Sequence, residues 1–150
     1  MTIKEYLDRA ILVEKSILEE TSKAVYKHEV EIIKLNTEDQ LFNKGINVDG
    51  GILGVYSGNH QPTSKSLLRG FPKLAGNRYN FLDSGRLFSD MQLNVINNKV
   101  IISNTDTENK LLKLYSMTGA EFIGLTVENQ YKLNYEIIQP ELFIFIKKYL

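Results

Sequence analysis

The stretch GINVDGGILGVYSGNH, from Gly45 to His60, has the composition that most strongly suggests chemistry. It holds five glycines in sixteen residues around one acidic residue, Asp49. Glycine-rich loops of this kind build phosphate-binding loops, dinucleotide-binding turns and calcium loops. Each of these sites requires particular residues at fixed positions, so each can be tested against the sequence.

None of the three patterns is satisfied. A Walker loop ends in Gly-Lys-Ser/Thr, and the chain contains no Gly-Lys pair. The dinucleotide fingerprint is present only as the fragment Gly51 to Gly54, and no helical pattern follows it. A calcium loop that starts at Asn47 needs glycine at Ile52 and glutamate at Gly58. The sequence therefore favours a shaped connection, in which glycine permits positive φ angles and close backbone approach.

Other catalytic groups are sparse. The chain has no cysteine, which removes disulfides, cysteine metal sites and thiol nucleophiles. His28 lies in a helical pattern and is interpreted as a surface or packing residue, and His60 has no carboxylate near it in sequence. No nucleophile-elbow pattern marks a serine. We therefore predict no catalytic residue, no cofactor and no metal site, and a protein that is not an enzyme.

The same region carries an excess of positive charge in a chain whose net charge is zero. Between residues 44 and 78, Asp49 is the single acidic residue, and the basic residues are Lys44, Lys65, Arg69, Lys73 and Arg78. Two alternatives stay open: a solvated loop, or a surface that contacts an acidic protein or phosphates. Few aromatic residues alternate with these charges, so stacking of single-stranded nucleic acid is not indicated.

We interpret residues 44–78 as an interface arm that is mobile in the isolated subunit and ordered in an assembly. Tyr56 and Phe71 are predicted anchors, and Lys65, Arg69, Lys73 and Arg78 complete the candidate interface. Other apolar residues predicted to anchor it are Ile52, Leu53, Val55, Leu67 and Leu68.

The bulk composition is that of an ordinary globular protein. The chain has 150 residues, of which 43% are hydrophobic and 24% charged, which suits one globular domain over residues 1–150, and the helical and strand patterns described below predict the α+β class. Zero net charge gives no global field that attracts nucleic acid. The first twenty residues carry charges every few positions and lack the apolar core of a signal peptide. Apolar runs are too short to span a bilayer, so we expect a soluble protein without a membrane partner.

Helical periodicity dominates the N-terminal part of the chain. Apolar residues recur every three or four positions from residue 2 to about 31, which predicts one long helix. Its apolar face is broad, and two uses of it stay open: packing on the chain's own sheet, or contact with a partner. The next segment, EIIKLN, is predicted to be β-like and to end at Asn36. A long glycine-rich loop region is then predicted at about 44–80.

The segment DMQLNVINNKVIIS predicts a β-hairpin. Alternating residues indicate strands, and Asn97 and Asn98 can take the positive φ angles of a two-residue turn. This register places Val95 opposite Val100 and Leu93 opposite Ile102, with all four on the core face.

Three helical segments are predicted after the hairpin. TENKLLKLYSM is closed by Gly119, and a second helix starts after Thr126 as its N-cap. The last segment, which Pro140 opens, has apolar residues nearly all round, so much of it is expected to be buried or docked.

Several segments, read in order, resemble a group of small bacteriophage and prophage virion proteins. The segments are Gln40-Leu41, Gly45-Ile46-Asn47, Gly51, Tyr56-Ser57, Leu82-Asp83-Ser84-Gly85 and Gly124 to Asn129. The likeness runs from about residue 40 to residue 133. Asn47 stands where the group often has aspartate, and Ser84 where it often has threonine. Asp83, Ser84 and Gly85 are also expected from their types to form a side-chain-capped turn before the next element.

The resemblance implies a structural protein at the head–tail junction (neck) or in the tail, similar to tail-completion proteins and without catalysis. It implies partners among portal, neck or tail components, a homo-oligomeric ring, proximity to DNA, and residence in the virion after assembly in the host cytoplasm. A binding module that holds phosphate or nucleic acid through the basic loop is the alternative, and a hydrolase is a third.

Overall fold

The computed structural model describes residues 1–68, 70 and 73–150 of the chain. The elements are α1 (Ile3–Lys27), α2 (Glu29–Lys34), a first π-helical segment (Leu35–Lys44), α3 (Ser64–Leu68), α4 (Arg86–Ser89), β1 (Met91–Ile96), β2 (Lys99–Asn104), α5 (Leu111–Thr118), α6 (Val127–Lys132), a second π-helical segment (Leu133–Ile138) and α7 (Gln139–Tyr149). The fold is α+β, with a long N-terminal helix, an antiparallel hairpin and C-terminal helices, as predicted.

Helix α1 begins with a capping box. The Thr2 side chain accepts a hydrogen bond from the Glu5 backbone N–H (3.2 Å), and the Glu5 carboxylate accepts one from the Thr2 N–H (2.6 Å). These bonds satisfy N–H groups that a helix start otherwise leaves unpaired. The C-terminal half of α1 packs along α7 and against β1, where the Tyr26 hydroxyl accepts a hydrogen bond from the Val95 N–H (3.2 Å).

The prediction that EIIKLN is β-like is wrong. The helical path turns at His28, continues as α2, and then widens into the first π-helical segment as far as Lys44. Ile32 lies seven residues after Val25, so a helix places both on one face, and both are fully buried. Burial of this shared face outweighs the moderate preference of β-branched residues for strands.

The hairpin prediction is confirmed in its register. Leu93 pairs with Ile102 and Val95 with Val100, and Asn97 and Asn98 take φ angles of 50° and 60° in the turn. Leu93 and Ile102 are buried, whereas Val95 and Val100 are partly buried against the same core.

The C-terminal helices begin and end near the predicted positions. Gly119, in a left-handed conformation, ends α5, and the Thr126 side chain caps α6 by accepting a hydrogen bond from the Asn129 N–H (3.2 Å). The chain itself buries only part of the last segment, so docking of its exposed residues, the other part of the expectation, stays a prediction. Phe143 and Ile144 are 57% and 65% exposed, because the chain covers only one side of α7.

The core joins residues that are far apart in the sequence. It contains Val25, Ile32, Leu41, Leu53, Phe81, Met91, Leu93, Ile102, Phe122, Leu133, Ile137 and Ile138. A search of the residues that the structure describes finds no helix long and apolar enough to cross a membrane.

Candidate functional site

The glycine-rich stretch is shaped by close backbone approach. Gly45 has a φ of 60°, and a Cβ atom on it would lie 2.5 Å from the Tyr79 carbonyl oxygen. Gly54 has a φ of 144°, and its Cβ would lie 2.5 Å from the Tyr79 ring. The Asn47 carboxamide oxygen accepts hydrogen bonds from the N–H groups of Asp49 (3.0 Å) and Gly51 (2.7 Å). The stretch is therefore a folded connection in which glycine is sterically required at two positions.

Backbone hydrogen bonds tie the first part of the predicted arm to the rest of the chain. The Val48 N–H donates to the Glu121 carbonyl (3.1 Å), and the Tyr56 N–H donates to the Asn77 carbonyl (2.9 Å). Leu53, predicted as an interface anchor, is instead a buried core residue. Residues 45–56 are thus bonded into the fold through their backbone and through Leu53, whereas the side chains of Ile52 and Val55 stay exposed.

The structure brings only some of the predicted interface residues together. Tyr56 and Lys73 line one cleft, whereas exposed Arg78 donates a hydrogen bond to the Lys44 carbonyl (3.1 Å). Lys65 belongs to α3. Two further predicted residues, Arg69 and Phe71, lie outside the described residues.

A cleft of about 490 Å³ lies between the loop region and α5. Its aromatic wall is formed by Tyr56, which stacks on His60 (ring centroids 4.7 Å apart) and meets Tyr79 edge-on at 4.9 Å. Its charged wall includes Lys73, Asp83, Glu108 and Lys110. The cleft thus brings aromatic residues and Lys73 of the loop region beside charged residues that follow it in the sequence.

The turn at residues 83–85 forms one end of the cleft. The Ser84 hydroxyl oxygen accepts a hydrogen bond from the Arg86 N–H (3.2 Å), and Gly85 is left-handed (φ 85°) at the start of α4. The Ser84 hydroxyl is also 3.1 and 3.0 Å from the two carboxylate oxygens of Glu108, which forms an ion pair with Lys110 (2.7 Å).

This arrangement is poorly suited to nucleophilic catalysis. The hydrogen bond from Lys110 lowers the pKa of the Glu108 carboxyl, with a further contribution from Ser84. A carboxylate with a lowered pKa is a weaker base, so Glu108 is unsuited to take the Ser84 proton at neutral pH.

Lys73 is the unusual cation of the cleft. Burial lowers the pKa of its ammonium group below the ordinary value of 10.5, although Asp83 acts in the opposite direction. Within the described part of the chain it forms no ion pair, and its ammonium lies 6.0 Å from the Tyr56 ring centroid. A partly buried cation without a bonded anion is a group that an anionic ligand would stabilise.

A buried cluster of amide side chains was not anticipated from the sequence. The Gln40 side chain donates to the Gly124 carbonyl (2.8 Å) and accepts from the Thr126 N–H (2.9 Å) and the Asn129 carboxamide (2.9 Å). Asn36 donates to the same Gly124 carbonyl (2.7 Å). The resemblance segments at Gln40 and Gly124 to Asn129 thus bind each other and hold the first π-helical segment against α6. Polar or charged residues adjoin each amide in the sequence, as in Asp39-Gln40 and Glu128-Asn129-Gln130, so no local signal in the sequence marks the cluster.

Among the described residues, α1 and α7 each carry an exposed apolar face. Residues 1–9 are all exposed, and the apolar side chains of Ile3, Leu7 and Ile11 on α1 are 83%, 53% and 44% exposed. The same stripe continues into Val25, which the core buries completely. The outer face of α7, with Phe143 and Ile144, is the second uncovered face. These faces and the cleft are the candidate functional surfaces.

A search of the described residues finds no group of three or more histidine, cysteine or acidic residues that would hold a metal ion. Comparisons with protein-family models, curated proteins and solved structures find no match to this chain.

Proposed function

We propose that the chain is a non-enzymatic structural subunit of a bacteriophage particle, at the head–tail junction or in the tail. In this proposal it assembles with copies of itself and with portal, neck or tail proteins, first in the host cytoplasm and finally in the virion. The observation that carries the proposal is the uncovered apolar stripe on the N-terminal half of α1.

The stripe brings several exposed apolar side chains together on one side of α1. Single exposed apolar residues are common, whereas a contiguous apolar surface usually marks a contact with another protein. Ile3, Leu7 and Ile11 follow one another along one face of a stiff helix. An assembly subunit needs such a surface, because neighbouring subunits bury the apolar side chains that its own chain leaves exposed.

The buried amide cluster supports the same proposal. Of the segments that resemble virion proteins, Gln40 and Gly124 to Asn129 use their polar atoms to bind each other inside the fold. Their roles are therefore structural. This is what a protein selected for a rigid shape requires.

Gene deletion with complementation tests the proposal. We expect a phage that lacks this chain to yield defective particles, with heads and tails unjoined or tails incomplete in electron micrographs. The wild-type chain should restore infectivity. The double variant Leu7→Ser/Ile11→Ser should remain folded but restore little infectivity. The control Arg9→Ser, on the opposite side of α1, should restore infectivity fully. Normal infectious particles from the deletion phage would contradict the proposal.

Lys73 favours a second candidate function, in which the cleft holds a phosphate group or nucleic acid. Titration with inorganic phosphate and with a short single-stranded oligonucleotide, followed by NMR, tests this candidate. We expect Lys73→Met to abolish binding and Lys99→Met, at an exposed position in the hairpin, to leave it unchanged. Absence of shifts at residues lining the cleft would eliminate the candidate.

A further inference from the structure

The exposed stripe of α1 has a charge pattern that is complementary to itself. The residues at 4, 7, 11 and 14 are Lys4, Leu7, Ile11 and Glu14, with spacings of three, four and three. At 100° per residue these side chains fall within about 80° of the helix circumference. Along the stripe the order is therefore positive, apolar, apolar, negative. The four positions are symmetric about residue 9, and the two end residues, Lys4 and Glu14, carry opposite charges.

We propose that the N-terminal halves of two α1 helices, one from each of two copies of this chain, pair in an antiparallel manner along this stripe. Leu7 of each copy then packs against Ile11 of the other, and Lys4 of each copy lies beside Glu14 of the other. The inference rests on the proposed function in taking a second copy as the partner, and it names the surface and the orientation.

The orientation follows from charge. A parallel pair in register would place Lys4 beside Lys4 and Glu14 beside Glu14, and like charges opposite each other are unfavourable. The antiparallel pair turns both contacts into ion pairs at the two ends of a small apolar seam. It is an isologous contact, in which each copy uses the same surface.

The stripe is available for this contact. All four side chains are exposed, and within the described part of the chain Lys4 and Glu14 form no ion pair. Along this half of α1 the chain itself covers a different face, marked by buried Val13 and, further on, Ala24. On the helix these two residues lie about 120° or more from the centre of the stripe.

Charge reversal tests the pairing in the full-length chain by sedimentation equilibrium over a wide concentration range. We expect the wild type to dimerise, and Lys4→Glu or Glu14→Lys to weaken dimerisation about tenfold or more, since each variant creates two like-charge contacts. The double variant Lys4→Glu/Glu14→Lys should recover most of the affinity. Arg9→Glu, which changes the charge equally on the opposite face, should have little effect.

Spin-label distances test the orientation. The chain has no native cysteine, so Glu19→Cys provides a single labelling site on α1. Antiparallel pairing puts the two labels roughly 30 Å apart along the axis, because each lies about ten residues from the symmetry centre. Parallel pairing would bring them within about 20 Å of each other.

Each result has a definite reading. A wild-type chain that stays monomeric, or a dimer that Lys4→Glu and Arg9→Glu affect equally, overturns the pairing. If the chain dimerises with the predicted charge response but is absent from phage particles, the proposed function is overturned and the pairing stands. Short label distances overturn the antiparallel orientation.

Discussion

Gly45 and Gly119 show at the residue scale how the same backbone angle can have different steric consequences. Both are left-handed, with φ angles of 60° and 65°, but only Gly45 lies against another backbone, at Tyr79. A Cβ atom on Gly119 would meet no atom of another described segment within 4 Å. The glycine-rich stretch that first suggests a ligand loop thus owes at least one glycine to packing between two segments of the fold.

We predict that Gly45→Ala lowers the free energy of unfolding by about 3 kcal/mol, because it adds a backbone clash to the left-handed strain. Gly119→Ala should cost only about 1 kcal/mol, from the strain alone. Urea unfolding of both variants measures the difference. Equal losses of unfolding free energy in the two variants would show that the close approach of Gly45 to the Tyr79 backbone adds no cost.

The buried amides give a second residue-scale prediction. Gln40→Met leaves the Thr126 N–H without its bonded acceptor inside the fold and removes one of the two amide donors to the Gly124 carbonyl, so we expect it to cost about 2–4 kcal/mol of stability. Gln130→Met removes an exposed hydrogen bond to the Leu125 carbonyl and should cost less than about 1 kcal/mol. Chemical unfolding compares the two, and similar losses would contradict the role given to Gln40.

At the element scale, the junction of α1 and α7 should respond to pH. Hydrogen bonds to Glu141 and, secondarily, Glu31 raise the pKa of His28 above its ordinary value of 6.5. The folded chain therefore holds this proton to higher pH than the unfolded chain does. The stabilisation is complete below pH 6.5 and is lost as the pH rises through the raised pKa.

We accordingly expect the urea midpoint to fall as the pH rises past 6.5, and His28→Gln to remove this part of the dependence. Glu141→Gln should flatten the curve more than Glu31→Gln, because the Glu141 bond is the larger cause of the shift. A His28→Gln curve parallel to that of the wild type would contradict the assignment.

The second element-scale prediction concerns the loop region. It gives the mobile arm a shorter residue range than the 44–78 expected from the sequence. Residues 45–56 are bonded into the fold, whereas the backbone hydrogen bonds that residues 57–68 form with other described residues are local, such as that from the Leu67 N–H to the Thr63 carbonyl. We expect hydrogen exchange in the isolated chain to be slow at 45–56 and fast at 57–68. Equal and strong protection of both would show that no arm exists.

The hairpin and the helix ends were predictable because their determinants are local. The alternation around Asn97 and Asn98 fixes a register within a dozen residues, and Thr126 and Gly119 mark helix boundaries directly. The amide cluster and the cleft were not predictable, because their contacts join residues such as Gln40 and Gly124, which are more than eighty positions apart. The strand predicted at EIIKLN was wrong because distant packing outweighed local preference.

At the scale of the whole molecule, apolar side chains are buried in one part of the chain and exposed on α1 and α7. The C-terminal half of α1 packs against the core, the hairpin and α7, whereas residues 1–9 are all exposed. An isologous α1 pair closes on itself, so a ring of copies requires a further contact. The outer face of α7, with Phe143 and Ile144, is placed to provide one.

Quantitative mass spectrometry of gradient-purified particles decides whether this chain is a structural part of a phage particle. We predict that the chain bands with the particles at a fixed number of copies, and that this number is several per particle. Presence of the chain in the lysate but not in the banded particles would contradict the proposed function.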